Sequence, residues 1–137
     1  YERARARELL KYCELYLELP ARRCYGEAFF GTGPVSDEVK TDVRPTLEKG
    51  CRALSRLGSF SPFLAGDNIT YADFMFLHSF PMAASVGKTV FDWNMFEDVP
   101  QAAALLERLQ QRPIAMTVAE DAKNGMKEFQ EHYGMKR

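Results

Sequence analysis

Three cysteines, two histidines and a pair of tyrosines four residues apart carry most of the chemical potential of this chain of 137 residues. Cys13, Cys24 and Cys51 form no Cys-x-x-Cys pair and have no neighbouring histidine, so neither a zinc site nor a redox pair is indicated. An odd number of isolated thiols fits a reducing compartment. Cys13 and Cys51 fall on the apolar faces of predicted helices, where a thiol serves as a small hydrophobe. Cys24 lies in a predicted loop beside Arg22 and Arg23, whose charge would lower its pKa, yet no base or oxyanion partner for a nucleophile is visible. His78, within a predicted central helix, reads as a hydrogen-bonded structural imidazole, and His132 stands near the fraying end of the chain. No catalytic residue and no metal ligand set is therefore assigned.

Tyr12 and Tyr16 share one helical face, as do Arg3 and Arg7. The arginines stand at a helix start, where cations oppose the dipole and are usually solvated. The strongest local signal is Gly66-Asp67-Asn68-Ile69-Thr70-Tyr71-Ala72-Asp73-Phe74. Thr70 is placed as an N-cap whose hydroxyl accepts the N–H of Asp73, while the Asp73 carboxylate reaches back to the N–H of Thr70. Ile69 and Phe74 have the spacing of a hydrophobic staple that fixes how the chain enters the helix.

The elements that position these residues follow from period and punctuation. Apolar Ala6, Leu9, Leu10, Cys13, Tyr16 and Leu17 predict an amphipathic helix over residues 1–19, stopped by Pro20. Its start has no capping residue and the chain does not open with Met, which reads as a piece of a longer protein. Residues 20–37 are rich in Gly and Pro and predict a loop, with a short turn at Ala28–Phe30. A second helix is expected to Leu57, with Pro45 either in its first turn or inside a longer helix that begins near Ser36. A third runs from Thr70 through Phe80, bent or ended by Pro81. The aromatic stretch over residues 86–98, with Phe91, Trp93 and Phe96, predicts a loop anchored to the body. A fourth helix spans about residues 100–112, a fifth starts at Pro113 and reaches Asn124, and residues 125–133 add a last short one. No strand alternation is seen, so the fold class is all-α, a bundle of five to six helices forming one domain over residues 1–137.

Eighteen Lys and Arg against nineteen Asp and Glu give a net charge of -1, which leaves no electrostatic footprint for nucleic acid or an anionic membrane. No apolar run approaches the roughly 20 residues of a membrane span, and the basic start lacks a signal-peptide core. The expected location is cytoplasmic.

Leu64-Ala65-Gly66-Asp67, then Thr70 and Ala72-Asp73, resembles the segment that opens the buried central helix in the C-terminal domain of glutathione S-transferases. Val99-Pro100, Leu106, Leu109 and Arg112-Pro113 look like the Pro-started helix and Arg-Pro junction of that family, in the same order. The resemblance covers essentially the whole chain. It implies an N-terminal thioredoxin-like domain, absent from this chain, that binds glutathione as co-substrate and supplies the Tyr, Ser or Cys stabilising its thiolate. It also implies that the helical domain lines the pocket for a hydrophobic electrophile and that its first two helices build a homodimer contact. On this basis Tyr12 and Tyr16 are substrate-binding candidates, beside the plainer reading in which they pack in the core or at the dimer. The first helix has Glu2, Glu8, Glu14 and Glu18 but no Asp, departing from classes that use an Asp there. Two other readings stand beside the conjugating enzyme: a non-catalytic relative that serves as a docking module, and a generic bundle binding a small apolar ligand.

Overall fold

The computed structural model describes residues 1–134. Helix α1 (Glu2–Cys13) passes through a π-helical turn (Glu14–Glu18) into α2 (Leu19–Arg22), and a second π-helical turn (Gly26–Phe30) follows. Then come α3 (Asp37–Leu57), α4 (Tyr71–Phe91), α5 (Met95–Asp98), α6 (Ala102–Gln110) and α7 (Pro113–His132). Among the described residues the only β-type pairing is an isolated bridge between Phe63 and Gly66, so the domain is all-α. The seven α-helices among the described residues exceed the five to six expected because the first is divided by its π turn and a short extra one begins at Met95.

Pro20 does not stop the first helical segment, contrary to expectation, and is buried as the second residue of α2. The reason lies just before it. Leu9, Cys13, Leu17 and Ala21 are all fully buried, and this strict four-residue repeat drifts by ~40° per step on a 3.6-residue helix. A widened turn takes up that drift, with the N–H of Leu19 bonded to the carbonyl of Glu14. Pro20 has no N–H to give to the Tyr16 carbonyl, and α3 closes in there: a Cβ on Gly50 would lie 2.8 Å from that oxygen.

The loop expected after Pro20 is mostly helical too, ending at Gly31 in the left-handed region (φ 61). Helix α3 begins at its Ser36 cap, whose hydroxyl accepts the Val39 N–H at 3.3 Å, with Asp37 and Glu38 favouring the positive end of the dipole. Pro45 therefore occupies the interior of the longer helix, where it and Thr41 are both exposed and water can serve the Thr41 carbonyl.

Helix α4 is the centre of the domain and packs against α1, α3, α5 and α6. It continues past Pro81, where a bend or an end was expected, to Asp92, which caps it in the left-handed region (φ 48). Burial of Ala83, Ala84, Val86 and Gly87 beyond the proline outweighs one lost backbone bond. Residues 86–91, expected as loop, are thus helical, and Gly87 lets the return of the chain close in, with Met95 Cγ only 3.0 Å from where a Cβ would be. Phe91, Trp93 and Phe96 do pack against the core. The ring of Phe60 meets Phe76 edge-on at 5.7 Å, Phe76 stacks on Phe80 at 4.9 Å, and Phe80 meets Phe96 at 5.2 Å, a file of aromatic rings through the body.

Helix α7 is continuous through Gly125, where a break was expected. A Cβ there would meet nothing within 4 Å, so the glycine is a weak helix residue at an open position, flanked by Met126, Lys127 and Glu128, which favour helix. No residue of α7 is buried; Phe129 reaches Phe30 at 6.4 Å.

Candidate functional site

Asp73 is fully buried at the start of α4 and organises the backbone around it. One carboxylate oxygen accepts the Thr70 N–H at 2.8 Å and the Thr70 hydroxyl at 3.1 Å; the other accepts the N–H of Leu64 at 2.7 Å. The Thr70 hydroxyl in turn accepts the Ala72 N–H at 3.2 Å. The bond to Leu64 was not anticipated from the sequence, although a buried acid that caps locally with one oxygen needs a partner for its second. It ties the preceding loop to the central helix.

Ile69 is half-buried against the core while Phe74 is 36% exposed. Both line a cleft between the N-terminal ends of α1 and α4, together with Arg3, Arg7, Thr70 and Tyr71. Tyr71 is 83% exposed and Met82 is 36% exposed. With Met75 and His78 they form a stripe, residues 71, 74, 75, 78 and 82, along the outward face of the helix that is otherwise the core of the domain. The stripe was not anticipated from the sequence, although large apolar residues on every face of a helix signal that each face is covered. His78 is exposed within the stripe and is not the enclosed structural imidazole expected, because the core-facing positions around it are taken by Phe76, Ser79 and Phe80. A second cleft runs along the stripe, with Tyr25, Met75, His78, Ser79 and Met82 on its walls. Burial pushes the Tyr25 hydroxyl above its ordinary pKa, helped by the nearby charge of Glu18.

The rings of Tyr12 and Tyr16 meet tilted by 32° at 5.4 Å, and the Lys49 ammonium stands 5.4 Å from the Tyr16 ring centre. Neither lines the two clefts along α4. Tyr12 packs against the core, and Tyr16 lies beside Gly50 of α3.

The cysteines are three free, buried thiols. Burial raises Cys13 and Cys51 to about 12. Cys24 is also raised, by burial and then by the Glu27 carboxylate, which corrects the lowered pKa expected from Arg22 and Arg23. Both arginines are exposed and carry their charge outward, Arg22 to Glu18 and Arg23 to Asp42. Among the described residues no group of three or more His, Cys, Asp or Glu could hold a metal ion, and no helix is long and apolar enough to cross a membrane.

Residues 26–116 match the family described as the C-terminal domain of glutathione S-transferase. Over 131 residues the chain is 43% identical to a glutathione S-transferase of Pseudomonas putida, covering 96% of this chain and 59% of that protein. An all-α body centred on α4, a family match across two thirds of the chain and this level of identity agree, and the chain belongs to the glutathione S-transferase family, as a C-terminal domain.

Proposed function

We propose that this domain forms one wall of the binding site for a hydrophobic electrophile, in a whole protein that conjugates glutathione to it. The observation that carries the reading is the stripe of Tyr71, Phe74, Met75, His78 and Met82 on the central helix. Large side chains on the innermost helix of a domain are left open to water only where something else covers them. The chain spans 59% of the length of its relative, and the rest of that protein is comparable in length to a domain that would cover this face. Two methionines give the wall an adaptable apolar surface, and Tyr25 and His78 place polar groups at its edge. The glutathione thiol would be held and activated by the covering part, since nothing in this chain is assigned that role.

Tyr12 and Tyr16, paired on the first helical segment, belong in this reading to the contact between two subunits of a homodimer, and their substrate-binding role gives way to packing. The protein acts in the cytoplasm, without nucleic acid or membrane as partner.

The test is a chimera in which the part of the P. putida relative preceding the matched region is joined to this chain. Glutathione-dependent turnover of a nitroaryl chloride, weakened by Met75→Ser or Met82→Ser at unchanged glutathione affinity, is the expected result. A folded chimera that binds glutathione but gives no turnover would favour the docking-module reading.

A further inference from the structure

Away from the clefts along α4, a third lies between α3 and the turn that follows α4, bounded by Arg44, Glu48, Arg52, Arg56, Trp93 and Asp98. Three arginines face two carboxylates there, and both carboxylates are already engaged. Glu48 accepts from Arg44 Nε at 2.7 Å, and Asp98 accepts from Trp93 Nε1 at 3.0 Å. Arg44 is held three ways, by Glu48, by the carbonyl of Phe91 at 3.5 Å, and by the Trp93 ring, whose centre lies 4.1 Å from its guanidinium carbon. Among the described residues neither Arg52 nor Arg56 has an ion-pair partner. Two guanidinium groups one helical turn apart therefore line a cleft whose three arginines outnumber its two carboxylates, next to an aromatic ring held by Arg44 and Asp98.

We infer that this cleft binds a small organic oxyanion of the phosphate monoester class, with Arg52 and Arg56 gripping the oxyanion and the organic group lying along the Trp93 side. Arginine is suited to this because its planar fork donates two parallel hydrogen bonds to a tetrahedral or planar oxyanion, each strengthened by charge. The engaged Arg44 and Trp93 supply a rigid edge that needs no ordering when a ligand arrives. The site does not depend on a second domain, so it is separable from the conjugation proposed above.

Trp93 is the only tryptophan of the chain, and it borders both this cleft and one beside the end of α4, so the arginine variants below assign any change in its emission. The full chain is titrated with phenyl phosphate at fixed ionic strength, with inorganic phosphate and phenol as comparisons. A saturable change in Trp93 emission is expected with phenyl phosphate, weaker binding with inorganic phosphate, and none with phenol. Arg52→Gln and Arg56→Gln should each raise Kd by about tenfold, the loss of one charge-assisted hydrogen bond, while Arg112→Gln, an exposed cation elsewhere, should leave it unchanged. Circular dichroism of each variant, with Arg52→Lys as a milder change, separates loss of binding from loss of fold. Absence of saturation, equal binding of inorganic phosphate, or equal weakening by Arg112→Gln would overturn the inference. So would a response to an acidic peptide without one to phenyl phosphate, which would mark the cleft as a protein-docking surface.

Discussion

The carboxylate of Asp73 accepts the backbone N–H of Leu64 at 2.7 Å, nine residues back in the chain and out of reach of water. Asp73→Ala therefore strands a buried donor as well as opening the start of α4. Hydrogen bonds to a charged group contribute about 1.5–3 kcal/mol each, so the loss should exceed the roughly 0.5–2 kcal/mol expected of Thr70→Ala. Because the two side chains also bond to each other, the double variant should lose less than the sum of the singles, with a coupling of about 0.5–3 kcal/mol. Urea unfolding of the four proteins checks this, and strict additivity would contradict it.

Two glycines should respond to alanine with opposite signs. At Gly50 the new methyl would meet the Tyr16 carbonyl at 2.8 Å and the Tyr16 Cβ at 2.9 Å, both parts of a packed helix that cannot retreat. Gly50→Ala should destabilise by about 1–3 kcal/mol or more. Gly125→Ala meets nothing and should add helix stability of about 0.5–1 kcal/mol. Helical circular dichroism on heating measures both, and a shared sign would be inconsistent with the packing described.

Alkaline pH should weaken the fold through its thiols. Cys13 and Cys51 have an ordinary value of 9.0 and are pushed to about 12 by burial. Below pH 9 both states hold the proton and the stabilisation is complete; above it the unfolded chain releases protons that the folded one keeps. Stability is then lost progressively as pH rises from about 9 towards about 12. Denaturant midpoints across this range should fall less steeply in Cys51→Ala than in the parent. A thiol reagent at pH 8 should modify the native chain only at the rate of opening.

The stripe on α4 should make the isolated chain self-associate. Tyr71→Ser and Phe74→Ser remove exposed apolar surface without touching the core, and each should shift sedimentation towards monomer at high protein concentration. A parent chain that stays monomeric throughout would show this face to be harmless when bare.

The all-α class and the buried thiols of Cys13 and Cys51 were legible because they rest on period: every third or fourth residue apolar is a local property. The errors fall where a local rule met a tertiary one. Pro20 and Gly125 read as stops and Pro81 as a bend or a stop, and each lies inside helix, the two prolines because burial on both sides compensates a missing bond and the glycine because open helix tolerates a poor former. Cys24 was misjudged for a related reason. Its neighbours in sequence are arginines that point away, whereas its neighbours in space are the core and Glu27. Of the candidate site, Thr70 and Asp73 could be named in advance, but the partner at Leu64 and the clefts beside α4 arise only when distant segments meet.

Helix α7 contributes twenty residues of regular backbone without one buried side chain. Its last turns should exchange amide hydrogens far sooner than α4, and a protease should trim them while the remainder stays folded. Ellipticity and Trp93 emission would then follow different processes: the first averages a fraying arm with the body, the second sees only the body. An unfolding curve from either probe alone would then miss one of the two events, and a two-state fit to it would misstate the stability of both.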